Sequence, residues 1–459
     1  MERLSALDVG FLQVETDRQQ MHVGSLLFFE GPAPTFAAIT RHLESCLPFV
    51  PRYRQRVQHA PLDLARPMWV DDPHFSLAYH LRHTAIPAPG DRSGLQALVG
   101  RVMSQRLDVD RPLWEMWVVE GLADGRWAMI TKIHHAMIDG VAGSELLEIM
   151  FASEPGILFP DPPAWQPEPT PSDLQLAASG LKDIAHLPLD AAQAAVSAAR
   201  SPRHAAEALA GRAFGLATAG RSVAVPASLL NGPVGPHRLW GWADADLAEV
   251  KAVKKAHGCT VNDVVLAACA GGFRTYLLAR GEQVEGTTIR SLVPVSMRTE
   301  DQRGQMGNHV TAVFAELPVG IADPLARLDA IHAQMDHLKH NGQAIGVEAM
   351  LSAGDFVPAT LMSLGARVYA HTGQWVVNTV TTNVPGPQQP LYLLDRQMLQ
   401  MYPYIPVALG VRISVGIMSY DGQLAVGVTG DYDAVPDLDV LCAAIEASFT
   451  ELVASLPVD

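Results

Sequence analysis

The stretch Lys132-Ile133-His134-His135-Ala136-Met137-Ile138-Asp139-Gly140 is the most informative part of this 459-residue chain. Two adjacent histidines are followed, at a fixed short distance, by an aspartate and a glycine. Neutral imidazole titrates near physiological pH, so a histidine in a desolvated cleft can take a proton from a weak acid such as an alcohol. The stretch therefore predicts a site of proton transfer.

The sequence on either side of this stretch predicts α/β structure. Two apolar runs, Trp114 to Leu122 and Trp127 to Ile133, are separated by four residues that include Asp124-Gly125, which is typical of a hairpin turn. The segment after Gly140 has helical spacing of apolar residues. The histidines are therefore expected at a strand-to-helix junction, within alternating strands and helices.

The length of the chain favours two or three domains. We predict an N-terminal domain over residues 1–153, a crossover segment over 154–238, and a second α/β domain over 239–459. Seven prolines between residues 154 and 171 exclude regular structure at the start of the crossover, and an Ala-rich stretch with helical periodicity follows.

Composition excludes several classes of function. The net charge of -15 disfavours nucleic acid and anionic bilayers as partners, because both recruit basic patches. Four scattered cysteines predict neither a disulfide framework nor a zinc ribbon, and we expect no bound metal and no cofactor. No signal peptide and no membrane-spanning run is expected, so the predicted location is cytoplasmic, with any contact with lipid being peripheral.

The two histidines have other readings. Asp139 can cap a helix and Gly140 can form a turn, but capping does not explain paired histidines. Adjacent residues on a strand point to opposite faces, so His134 and His135 would not bind one metal ion, and only one of them is expected to face the chemistry. Which one does so is open from the sequence. No nucleophile elbow, P-loop or dinucleotide fingerprint is present, which disfavours hydrolases and nucleotide-binding enzymes.

At this point the chain shows a resemblance to a known superfamily. The histidine stretch resembles the motif of the CoA-dependent acyltransferases, which include chloramphenicol acetyltransferases, condensation domains of peptide synthetases and bacterial wax ester synthase/diacylglycerol acyltransferases. Further segments resemble the last family from end to end: Leu7-Asp8 with Phe11-Leu12, Arg111-Pro112-Leu113-Trp114, Leu230 to Arg238, Asn262-Asp263, Pro294 to Arg298, Gly307-Asn308 with Leu317-Pro318, and Asn383-Val384-Pro385-Gly386-Pro387.

The resemblance implies a fold of two chloramphenicol-acetyltransferase-like α/β domains with a tunnel at their interface. It implies an enzyme that moves a long-chain acyl group from acyl-CoA to diacylglycerol, giving triacylglycerol, or to a fatty alcohol, giving a wax ester. Acyl-CoA is then a substrate rather than a cofactor. Two rivals are a related transferase that takes its donor from a carrier protein and a lipid-droplet protein without activity.

The resemblance also implies roles for individual residues. His135, the second histidine, is the expected general base, and His134 is expected to support its geometry. Asp139 is expected to hold the local loop with Gly140, through an ion pair with Arg298. Asn262 or backbone amides are candidates to stabilise the oxyanion. Thr260 and Asp263 fit a capping box, so Asn262-Asp263 is open to two readings, helix initiation and substrate contact.

Overall fold

The computed structural model describes residues 2–61, 66–137, 147, 149–157, 160, 162, 164–172, 174–176, 228–296, 310–340, 376–407 and 410–456. Within these residues the strands are β1 (Glu2–Arg3), β2 (His22–Phe29), β3 (Gln55–Gln58), β4 (Met68–Asp71), β5 (Leu81–Ala85), β6 (Trp114–Glu120), β7 (Trp127–His134), β8 (Arg238–Asp246), β9 (Ile289–Ser296), β10 (Val310–Leu317), β11 (Thr379–Pro385), β12 (Tyr392–Leu393), β13 (Arg396–Tyr404), β14 (Ile413–Tyr420) and β15 (Gln423–Asp431). The helices are α1 (Ala6–Val14), α2 (Phe36–Cys46), α3 (Leu77–His80), α4 (Arg92–Ser104), α5 (Leu247–His257), α6 (Val261–Ala279), α7 (Pro324–His340) and α8 (Leu438–Ala454).

The first six-stranded sheet carries the histidines and has the order β12-β13-β2-β7-β6-β5. β6 and β7 pair antiparallel, as the Asp124-Gly125 turn predicts, and Gly125 adopts the left-handed backbone conformation that a residue without Cβ reaches easily. β7 also pairs antiparallel with β2, so that His134 lies opposite His22. The prediction of a strand leading into the double histidine is confirmed.

The second six-stranded sheet has the order β10-β9-β11-β14-β15-β8. A second Asp-Gly pair, Asp421-Gly422, is also typical of a hairpin turn, and β14 and β15 pair antiparallel on either side of it, with positive φ at both turn residues as a type I′ turn requires. α6 and α8 pack on this sheet over a large apolar core that includes Val265, Phe273 and Ile445.

A strand swap joins the two halves of the chain. β12 and β13 lie late in the sequence, yet they pair with each other and β13 pairs with β2 of the first sheet. β13 also packs against β15, where Gly427 leaves room for the Pro403 carbonyl, because a Cβ at this position would lie 1.8 Å from that oxygen. The sequence pattern does not predict this exchange.

An aromatic core fills the seam between the two sheets. Phe28 of β2 and the α4 residues Leu95 and Val99 meet Trp240, Trp242 and Tyr402 from the C-terminal half. The buried Arg238 side chain donates to the carbonyls of Gly235 and His237 and to the Arg18 carbonyl on the N-terminal side. Apolar burial and these charge-assisted hydrogen bonds hold the two sheets together.

Some predicted features lie outside the described residues. Residues 164–172 of the Pro-rich stretch contain neither helix nor strand. Most of the predicted crossover helices and of the helix after Gly140 fall outside the description, so the domain boundaries at 153 and 238 stay predictions. Two cavities of about 370 and 390 Å³ open along the seam, and neither has His135 in its lining. The tunnel therefore also stays a prediction.

Candidate active site

The two histidines occupy different environments at the end of β7. His134 is the last residue of the strand and is 1% exposed, whereas His135 begins a short 3₁₀ turn that runs to Met137 and is half-buried. The backbone N–H of His134 donates to the Leu113 carbonyl at 2.9 Å, and that of His135 donates to the Met21 carbonyl at 2.8 Å. Backbone hydrogen bonds on both sides therefore fix the position of the pair.

The ring of His134 accepts a hydrogen bond from within the protein. Its Nδ1 accepts a hydrogen bond of 3.0 Å from the backbone N–H of Ala136. Burial lowers the pKa of His134 to about 4, against the opposing effect of the nearby Glu15 carboxylate. His134 is thus neutral at physiological pH, and its one lone pair is engaged within the protein.

The ring of His135 is held differently. It stacks on Phe11 of α1 with ring centroids 4.0 Å apart and an interplanar angle of 27°. Its Nδ1 is buried and has no hydrogen-bond partner among the described residues. Burial lowers the pKa of His135. His135 is therefore also neutral, as a general base must be before it takes a proton.

The segment Arg111-Pro112-Leu113-Trp114 supports the histidines from the neighbouring strand. Leu113 accepts the His134 backbone bond, and the buried Trp114 ring packs against Tyr53 and donates from Nε1 to the Tyr53 carbonyl at 2.8 Å. These contacts make the segment part of the scaffold that positions β7.

The structure separates the roles of Asn262 and Asp263. Asp263 is buried, forms the predicted capping box with Thr260 at the start of α6, and accepts a 2.9 Å bond from His332 Nδ1 on α7. Asn262 is half-buried, and its Oδ1 accepts from Asn383 Nδ2 at 3.5 Å, which joins two of the segments that resemble the acyltransferases. None of the described contacts joins Asn262 or Asp263 to the histidines.

Three of the expected site residues cannot be placed. Asp139, Gly140 and Arg298 lie outside the described residues, so the expected ion pair between Asp139 and Arg298 is untested. Among the described residues, no group of three or more His, Cys, Asp or Glu side chains is arranged to hold a metal ion.

Comparison with known proteins places this site in a family. A family profile described as the wax ester synthase/diacylglycerol acyltransferase catalytic domain matches residues 4–265, and one described as the C-terminal domain of the same enzymes matches residues 306–453. The chain belongs to the wax ester synthase/diacylglycerol acyltransferase family. It is an acyltransferase.

Relatives in this family match almost the whole chain. A probable diacylglycerol O-acyltransferase of Mycobacterium tuberculosis, Tgs1, is 35% identical, with 99% of this chain and 96% of that protein covered. A second one from the same species, Tgs2, is 33% identical, with 98% and 99% covered.

Solved structures confirm the two-domain acyltransferase fold. The wax ester synthase/diacylglycerol acyltransferase of Marinobacter aquaeolei VT8 is 27% identical, with a TM-score of 0.68 over 98% of both chains. The first condensation domain of the calcium-dependent antibiotic synthetase has a TM-score of 0.61 at 17% identity, covering 99% and 96%. At that identity the second likeness concerns the fold alone.

Sequence reasoning missed a buried charged cluster behind the histidines. Glu15 Oε1 lies 3.2 Å from His22 Nε2 and 3.8 Å from His134 Nε2, and Glu15 Oε2 accepts a 3.1 Å bond from Arg106. The glutamate follows α1 in the sequence and looks like an exposed residue at a helix end. Only the pairing of β2 with β7 shows that His22, and with it Glu15, adjoins the double histidine.

Proposed function

We propose that this acyltransferase moves a long-chain acyl group from acyl-CoA to the hydroxyl of diacylglycerol, forming triacylglycerol, and that it also accepts fatty alcohols. The names of the relatives support diacylglycerol as the acceptor, and the name of the Marinobacter enzyme supports both acceptors. We propose that the enzyme meets these apolar acceptors at a lipid surface. Within the described residues, no helix is long and apolar enough to cross a membrane.

The observation that carries the catalytic assignment is the different use of the two imidazoles. His134 cannot accept a proton through Nδ1 without losing its bond from Ala136, and its Nε2 is buried beside Glu15. His135 is half-buried whereas His134 is 1% exposed, so His135 is the one of the two with surface that a substrate can reach. The geometry therefore favours His135 as the general base and His134 as a residue that supports it.

In the proposed reaction, His135 removes the proton of the acceptor hydroxyl while the oxygen attacks the thioester carbonyl carbon. The carbonyl π electrons move onto oxygen, giving a tetrahedral oxyanion. Collapse of this intermediate reforms the carbonyl and breaks the carbon–sulfur bond. The leaving CoA thiolate takes the proton from His135, which returns the base to its neutral state.

Asn262 is our candidate donor to the oxyanion. Its Oδ1 accepts from Asn383, and this contact directs the amide so that Nδ2 remains available to donate. An amide donor placed before the reaction stabilises charge that develops in the transition state.

The test compares CoA release by wild-type protein, His135→Ala and a matched His83→Ala control at the surface. With long-chain acyl-CoA and diacylglycerol, we expect His135→Ala to lose on the order of a hundredfold to ten-thousandfold in turnover, because the hydroxyl is no longer deprotonated. His83 is 42% exposed on its side chain and pairs with Glu120, so His83→Ala should keep wild-type turnover.

Different outcomes identify the rivals. Folded His135→Ala with wild-type turnover would refute the general-base assignment. Turnover of a carrier-loaded acyl group but not of acyl-CoA would identify a condensation-type donor. Comparing diacylglycerol with a fatty alcohol under the same conditions identifies the acceptor by product analysis.

A further inference from the structure

The carboxylate of Glu15 is buried beside His22 and His134. The side chains of Glu15, His22 and His134 are 2%, 0% and 1% exposed, and one glutamate oxygen, Oε1, faces an Nε2 atom of both rings. The same oxygen accepts a 3.2 Å bond from the backbone N–H of Met21. Burying a charged group costs free energy unless hydrogen bonds or opposite charges compensate for the loss of water, so the contacts of Glu15 indicate its role.

The contacts of Glu15 keep it ionised. Burial by itself would raise its pKa, but the contacts with His22 and the Met21 amide outweigh burial and lower the pKa to about 2. Arg106 supplies the compensating charge through Nη2, and its Nη1 extends the pair to the exposed Asp17 at 3.1 Å. Glu15 is therefore a fixed acceptor at physiological pH.

This acceptor determines the tautomer of His134. Since Nδ1 accepts from Ala136, the neutral ring must carry its hydrogen on Nε2. Nε2 lies 3.8 Å from Glu15 Oε1 without a hydrogen bond to it, so the carboxylate acts on this edge of the ring by charge alone, attracting an N–H and repelling an unprotonated nitrogen. Both edges of the ring thus select the same tautomer, and rotating the ring would break both interactions.

Two short chains of hydrogen bonds link Glu15 to His135 or its turn. One passes through His134 Nδ1 to Ala136, which lies in the same 3₁₀ turn as His135. The other passes through Met21, whose N–H bonds to Glu15 and whose carbonyl accepts from the His135 backbone N–H. In addition, Glu15 directly follows α1, the helix whose Phe11 stacks on the His135 ring.

We infer that Glu15 is a positioning residue for acyl transfer: its carboxylate fixes His134 as the Nε2–H tautomer and, through Ala136 and Met21, holds the turn that orients His135. The inference rests on the proposed function, because it takes His135 as the base. Glu15 itself contacts no reacting atom and exchanges no proton with substrate.

The first test pairs Glu15→Gln with Asp17→Asn. Both changes neutralise a carboxylate that bonds to Arg106 at 3.1 Å, but only Glu15 faces the histidines. We expect Glu15→Gln to lower kcat per folded enzyme on the order of tenfold to a hundredfold, the usual effect of removing a partner that orients a functional histidine, with KM for acyl-CoA unchanged. Asp17→Asn should keep the wild-type kcat, since its side chain is 89% exposed.

A second test asks whether Glu15 acts through His134. His134→Asn keeps an amide oxygen near the position of Nδ1 but removes Nε2, and therefore removes the atom that faces Glu15. Because the inference makes His134 the main route, Glu15→Gln should lower kcat much less in the His134→Asn background than in wild type.

A third measurement needs neither turnover nor a folded Glu15 variant. Nitrogen NMR of wild-type protein labelled at histidine should show His134 with hydrogen on Nε2 and a bare Nδ1, the signals being assigned by their loss in His134→Asn. This readout separates the inference from the proposed function, which stands or falls on His135→Ala.

The inference is overturned by any of four results: wild-type kcat for folded Glu15→Gln, an equal fall in Asp17→Asn, the same fold-loss in both backgrounds, or His134 protonated on Nδ1. A fall in kcat on the order of tenfold to a hundredfold in Glu15→Gln but not in Asp17→Asn, with His134 as the Nε2–H tautomer, supports it.

Discussion

Lys132, the buried lysine of β7, gives a prediction about how the free energy of unfolding changes with pH. Lys132 lies on β7 two residues before His134, and its side chain is fully buried. Its ammonium group donates to the carbonyls of Val102, at 2.9 Å, and Gln105 at the C-terminal end of α4. A cation at this end of a helix satisfies carbonyls that lack helical partners.

Burial lowers the pKa of Lys132 from 10.5 to about 8. At about 1.4 kcal/mol per pKa unit, this corresponds to about 3 kcal/mol of linkage between protonation and folding. Between pH 8 and 10.5 the unfolded chain holds the proton more firmly than the folded chain does. The contribution of Lys132 to stability therefore rises with pH across this window, reaching its full value above pH 10.5.

The perturbation is Lys132→Met, which keeps the approximate volume and removes the titrating group. The measurement is the thermal midpoint of wild type and variant, followed by tryptophan fluorescence at pH 8, 9, 10 and 10.5. Relative to the variant, wild type should gain about 3 kcal/mol across this range, or roughly 6 to 12 °C for a domain of this size. Comparing the two proteins cancels the titration of tyrosines, which both contain.

Lys251→Met is the matched control, because Lys251 is exposed on α5 and its removal leaves the interior unchanged. This variant should follow wild type at every pH. Parallel curves for wild type and Lys132→Met would refute the reasoning, since they would mean that the two α4 carbonyls keep the buried ammonium charged throughout the range.

Two further predictions concern the oxyanion and the strand swap. Asn262→Asp should lower kcat on the order of a hundredfold or more with little change in KM, because a carboxylate replaces the amide donor and repels the oxyanion. Wild-type steady-state kinetics in this variant would exclude Asn262 as a donor to the oxyanion. Gly427→Ala should lower the thermal midpoint by an amount equivalent to about 1 to 3 kcal/mol, because the added Cβ meets the Pro403 carbonyl. The control Gly10→Ala should not lower it, because a Cβ at residue 10 meets nothing within 4 Å. Equal midpoints for the two variants would contradict the packing argument.

Local pattern predicted the elements around the site well. The Asp-Gly turns at 124–125 and 421–422 and the Thr260 to Asp263 capping box depend on residues close together in the chain, so the sequence is sufficient to recognise them. Strand geometry predicted that the two histidines would differ, because neighbouring side chains on a strand point to opposite faces, but His135 lies in the 3₁₀ turn that follows β7 and not on the strand.

Contacts between distant segments could not be predicted in this way. Glu15 contacts His22, Arg106 and His134. The periodicity of apolar residues along the sequence does not indicate which buried acid pairs with which base. The placement of β13 in the N-terminal sheet likewise depends on pairing with β2, more than 360 residues earlier in the chain.

The amino-acid sequence by itself determined the α/β class, the double histidine and the resemblance to acyltransferases, because each of these is written in residues a few positions apart. The tertiary structure alone decided that His134 has its lone pair engaged, that His135 stacks on Phe11, and that a buried carboxylate lies beside His134. The physical reason is that a side chain's protonation and orientation depend on its neighbours in space, and folding brings those neighbours from α1, β2 and α4 to the end of β7.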